Sequence, residues 1–120
     1  MVRRVALACV LAVLAGTAGV GAHAFLERAE PRVGSTVRTP PTQVKLWFTE
    51  RLEPAFSRVQ VLDAAGRRVD RADGAVDPEN QALLRVSLGE LPPGAYRVVW
   101  RVVSVDTHVT EGAFTFKVAP

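Results

Sequence analysis

The stretch "SVDTHVTEG" (104–112) holds one of the chain's two histidines, His108, with Asp106 two residues before it. The other histidine, His23, stands far away in "GVGAHAFLE". In extended backbone, residues two apart project from the same face, so Asp106 and His108 can aim a carboxylate oxygen and an imidazole nitrogen at one point. The pair alone does not define a metal site. A lone histidine near a strand end is commonly solvated or hydrogen-bonded, and Asp-x-His arises readily by chance.

What precedes His23 changes its chemistry. Residues 1–22 read as a secretory signal peptide. Arg3 and Arg4 form the positive region, Val5 to Ala15 is an unbroken apolar run, and Gly16, Ala18, Gly19, Gly21 and Ala22 supply a small-residue tail. The run is short for a membrane span. Cleavage after Ala22 leaves residues 23–120, a 98-residue domain beginning at His23. Cleavage after Ala24 also fits the small-residue pattern and would delete that histidine.

A chain-terminal histidine carries two donors, its α-amine and its imidazole, already joined as a chelate. With His108 this gives three nitrogens, and Asp106 adds an oxygen. That set suits Cu(II) in a tetragonal arrangement, and copper tops the affinity order of the divalent first-row metals. Cu(I) prefers thiolate and thioether. The only cysteine is Cys9 and the only methionine is Met1, both in the leader. One Cu(II) per chain is the expectation.

Other chemistries lack their residues. The nucleophile elbow, phosphate-binding glycine loops and Cys-x-x-Cys are missing. Loss of Arg3 and Arg4 lowers the formal charge from +3 to +1, and no basic run is interleaved with aromatics, so no nucleic-acid partner is expected. With no cysteine after the leader, folding rests on apolar burial rather than disulfides.

The elements that must position these residues are short and alternate in period two: "QVKLWF", "SRVQVLD", "LLRVSL", "YRVVWRVVSV" and "AFTFKV". Turn signals separate them, including "TPPT", "DAAG" and "LPPG". Glu50 to Phe56 allows one helical turn, limited by Pro54. "RRVDRADGAVDPEN" reads as a solvated connection. The pattern predicts an all-β, Greek-key, immunoglobulin-like β-sandwich of about seven strands. In "LPPGAYRV", Tyr96 fits either a tyrosine corner or an ordinary core aromatic.

From "HAFLERAEPRVGS" through "VKLWFTERLEPAFSRVQVLD" to "LPPGAYRVVWRVVSVDTHVTEGAFTFKV", the chain resembles the CopC-type periplasmic copper-binding proteins, small β-sandwich carriers linked to copper resistance and uptake. The resemblance covers nearly all of residues 23–120. It implies His23, Asp106 and His108 as Cu(II) ligands. It also implies Glu50, in "FTE", as a carboxylate near the copper, acting through water or a hydrogen bond. Some members bind Cu(I) through a Met-rich loop with extra histidines; "LDAAGRRVDRADGAV" has neither residue. Some are fused to a membrane domain, whereas this sequence stops at Pro120, so a membrane copper permease would be a separate polypeptide.

The resulting expectation is a monomeric, non-enzymatic copper carrier, secreted across the inner membrane to the periplasm or cell-envelope exterior. The alternatives are a copper-dependent redox enzyme with a histidine brace, and a metal-free sandwich used as an interaction module. Asp106 as a fourth donor argues against the enzyme, because it occupies a position an oxidant needs.

Overall fold

The computed structural model describes residues 23–120; the expected signal peptide, 1–22, lies outside the described residues. Eight strands form two four-stranded sheets: β1 (Leu26–Glu30), β2 (Thr36–Val37), β3 (Gln43–Phe48), β4 (Arg58–Leu62), β5 (Ala75–Val76), β6 (Leu83–Ser87), β7 (Gly94–Val103) and β8 (Val109–Val118). One sheet has the order β1-β3-β6-β5 and the other β2-β8-β7-β4. All pairings are antiparallel except β2 with β8. The all-β sandwich expectation holds, with one strand more than anticipated.

Alternation builds the core. In β3, Val44, Leu46 and Phe48 are buried while Lys45 and Trp47 face outward. They meet Val98, Trp100 and Val102 of β7 and Phe114, Phe116 and Val118 of β8 in one apolar cluster. Trp100 is the aromatic hub, its ring edge-on to Phe48 at 6.2 Å and tilted to Phe114 at 6.0 Å. Tyr96 closes the far end as a tyrosine corner, its hydroxyl donating to the Pro92 carbonyl four residues upstream.

Three short strands escaped the period-two reading. β1 carries a register irregularity between Leu26 and Arg28, so its burial does not alternate. β2 and β5 are two residues each. The helical turn allowed between Glu50 and Phe56 is a single 3-10 turn, Pro54–Phe56.

The connection after β4 is more built than a solvated loop. The Asp70 carboxylate, fully buried, accepts from the backbone nitrogens of Val61 and Ala72 and from Arg68 Nε. Asp73 accepts from the Ser87 nitrogen at 2.8 Å. These bonds dock the segment onto β4 and β6, which its charged composition concealed.

Candidate metal centre

The first described residues lie against the end of the sandwich where β7 turns into β8. Ala24 is fully buried in the core and anchors the arm. Phe25 is clasped from both sides by Thr49, just after β3: its nitrogen donates to Thr49 Oγ1 at 2.9 Å, and its carbonyl accepts from the Thr49 nitrogen at 2.9 Å. His23 is thereby fixed one residue outside a buried anchor. Its ring packs on Phe25 at 5.9 Å and on His108 at 4.9 Å between centroids.

His108 and Asp106 come from the loop 104–108 that closes the β7–β8 hairpin. The Ser104 nitrogen donates to the His108 carbonyl at 2.9 Å, and the Thr107 nitrogen to the Ser104 carbonyl at 2.8 Å. Thr107 sits at φ 73°, in the left-handed region. The expectation of an extended Asp106-Thr107-His108 is therefore corrected. The two side chains share a side because the loop folds back, not because a strand alternates. Asp106 Oδ1 lies 3.6 Å from His108 Nδ1.

Ser104 organises this loop. It is fully buried, its hydroxyl donates to Asp106 Oδ1, and its oxygen accepts from the His108 nitrogen at 3.3 Å. The Ser104 hydroxyl, and secondarily His108, hold the Asp106 carboxyl below the ordinary aspartate value of 3.8. A carboxylate is thus kept ionised beside an imidazole on a surface open to solvent.

The segment after β3 ties arm and loop together. Thr49 holds Phe25; the Arg51 carbonyl accepts from the Val105 nitrogen at 3.0 Å; Leu52 bridges Ser104. Glu50, partly buried, lies in the bend between those two anchors. Among the described residues, no hydrogen bond or ion pair joins it to His23, Asp106 or His108.

His23 and His108 are thus brought into ring contact, with Asp106 beside His108 and Glu50 on the adjoining bend. Among the described residues, no three histidine, cysteine or carboxylate side chains are gathered closely enough to hold a metal ion by themselves. Ser104 and Thr49 were not anticipated. Ser104 had a signal, a short hydroxyl residue two before an aspartate in a turn-like run. Thr49 had none, since its role depends on a partner 24 residues away.

A two-sheet sandwich carrying its histidine pair where the first strand meets the β7–β8 hairpin defines the class, a small all-β domain with a polar site at one end. The chain belongs to the CopC family, whose domain matches residues 26–119. It is 35% identical over 103 residues to protein YobA of Escherichia coli (strain K12), covering 85% of this chain and 83% of that one. It is 33% identical over 105 residues to copper resistance protein C of Pseudomonas syringae pv. tomato, covering 81% of each. The copper transport protein CutJ of Bacillus subtilis (strain 168) is 32% identical over 98 residues; the match takes in 81% of this chain but 18% of CutJ. Among solved structures, CopC from Methylosinus trichosporium OB3b superposes with a TM-score of 0.73 at 35% identity, covering 82% of this chain and 95% of that one. PcoC from Escherichia coli, a methionine-rich copper resistance protein, superposes with a TM-score of 0.72 at 33% identity, covering 81% and 99%.

Proposed function

We propose that this chain is an extracytoplasmic Cu(II) carrier whose site forms when removal of the leader makes His23 the first residue. The observation that carries the reading is the contact of the His23 and His108 rings, 4.9 Å between centroids, with Asp106 beside them. As long as Ala22 precedes it, the His23 nitrogen is a peptide nitrogen and a poor donor. Cleavage turns it into an amine, and the imidazole of the same residue completes a chelate. His108 supplies a third nitrogen. Asp106 has one oxygen engaged by Ser104 and offers the other. Three nitrogens and a carboxylate suit Cu(II).

The side chains of Asp106 and His108 are about half exposed, at 53% and 46%. They can turn toward a metal without opening the core. Residues 23–120 contain no cysteine or methionine, which leaves Cu(I) without the soft donors it prefers. The copper-resistance and copper-transport relatives support copper as cargo. In this reading a monomer holds it outside the cytoplasm and passes it to a separate protein. Glu50, on the bend joining the two anchors, acts through water rather than as a ligand.

The test is Cu(II) titration against one competitor for four proteins: the form beginning at His23, the same form with one added N-terminal residue, His108→Ala and Asp106→Asn. The extended form is expected to lose affinity by orders of magnitude with unchanged metal-free stability, since an exposed chain end contributes little to the core. His108→Ala leaves a weak residual chelate. Asp106→Asn has the smallest effect and changes the copper spectrum. Equal binding by the extended and native forms would remove the amine from the site.

A further inference from the structure

The outward face of the sheet that carries the β7–β8 loop is rich in cations. Three rows cross β4, β7 and β8 in register: Arg58–Arg101–Glu111, Gln60–Val99–Ala113 and Leu62–Arg97–Thr115. Arg58 and Arg101 stand directly opposite each other, both exposed, although like charges across a strand pair are unfavourable. Glu111 answers only Arg101, at 3.2 Å. Among the described residues, Arg58, Arg97 and the neighbouring Lys117 have no carboxylate partner.

The opposite outer face is nearer to balance, although Lys45 stands opposite Arg85 without an ion pair among the described residues. There Arg28 pairs with Glu30 at 2.6 Å and Arg85 with Asp77 at 3.2 Å. Cations outside ion pairs are therefore more numerous on the β4–β7–β8 face, Arg58, Arg97 and Lys117 against Lys45. That face is shaped as well as charged: Val99 and Ala113 of the middle row are short, so the arginines and Glu111 rim a shallow depression of about 510 Å³.

We propose that this face docks an acidic protein surface, one presenting clustered aspartate and glutamate carboxylates. Charge complementarity carries the assignment, and residue type narrows it. Three of the four cations are arginines, whose planar forks take carboxylates in bidentate fashion and which are enriched at protein interfaces. A lipid surface is served less well, because Gln60, Val99 and Ala113 offer nothing to insert among headgroups. The purpose of the face rests on the carrier reading. Ser104 lies three residues beyond Arg101, on the order of 10 Å along the strand, so a docked protein would stand beside the copper site.

The experiment is amide chemical-shift mapping of the protein beginning at His23. The probes are a synthetic peptide of alternating glutamate and serine, its glutamine counterpart, and vesicles of phosphatidylglycerol. The glutamate peptide is expected to move the amides of residues 58–60, 97–101 and 111–113, and to lose its effect in high salt. The triple variant Arg58→Glu/Arg97→Glu/Arg101→Glu should bind it at least roughly 10-fold more weakly. Should those reversals disturb folding, the Gln versions at the same positions should weaken binding in the same direction. Shifts centred on Arg67, Arg68 and Arg71, equal effects of the glutamine peptide, response to vesicles alone, or self-association through this face would each overturn the proposal. Cu(II) titration of the triple variant separates the two readings. Retained copper binding with lost peptide binding supports the face as a distinct surface. Failure of copper binding in the unsubstituted protein sinks the carrier reading and leaves the docking result standing.

Discussion

Ser104 is fully buried at the root of the loop, and its hydroxyl reaches Asp106 Oδ1. That bond favours the ionised carboxylate, so the aspartate pKa is lower in the folded chain than in the unfolded one. The sign follows. The stabilisation is present above the unfolded value, near ~3.9, and is lost as pH falls through the lower folded value. In Ser104→Ala, Asp106 should titrate closer to 3.8, still somewhat lowered by His108. Cu(II) affinity should fall several-fold because the carboxylate is no longer aimed. Carboxyl-carbon shifts followed against pH read the first effect, and an unmoved midpoint would mean that Ser104 does not hold Asp106. At this scale the sequence was half legible. Asp106 and His108 announce themselves by type and spacing, and His23 by its place after an apolar leader. The left-handed Thr107 that makes them neighbours has no signature, because αL is uncommon for threonine and is imposed by the loop's own hydrogen bonds.

The β7–β8 hairpin is the element that carries this loop, and its two ten-residue strands are held to the core at the Trp100–Gly112 pair. A Cβ on Gly112 would stand 2.3 Å from Trp100 Cζ2, so only glycine lets the indole lie across β8. Gly112→Ala must push the ring away from Phe48 and Phe114, and overpacking of this kind costs about 1–3 kcal/mol. Urea unfolding should show an earlier midpoint with an unchanged slope. Unaltered stability would mean that the ring has room to move. Period-two patterning revealed β3, β4, β6, β7 and β8 because each packs one face on the core. β1, β2 and β5 stayed hidden because their pairing is decided by partners elsewhere in the chain. The same holds for the Thr49 clasp on Phe25, which positions His23 by continuing the β1–β3 ladder one step past Leu26 and Phe48.

On the scale of the whole molecule, the proposed site joins the two ends of the described chain. His23 begins it, and His108 lies in the last hairpin, with the sandwich core between them. A metal bound by both would tie the arm to the hairpin in the folded state only, and so would stabilise folding by mass action. At 100-fold excess over Kd the gain is about 2.7 kcal/mol. For a domain this small that corresponds to a rise in Tm on the order of 10–20 °C. Amines and imidazoles carry a proton in acid and must shed it to bind copper. The copper-bound form therefore holds fewer protons than the metal-free form, and the gain must shrink as pH falls below neutrality. Scanning calorimetry with and without Cu(II), at pH 7.5 and pH 5 (roughly either side of the imidazole range), measures this directly. The form beginning at His23 should show a large shift at the higher pH and little at the lower. The form with one added residue should show little at either, because its terminal nitrogen lies beyond reach of the chelate. An equal shift in both forms would place copper elsewhere on the domain, and a shift unchanged by pH would exclude amine and imidazole as the donors.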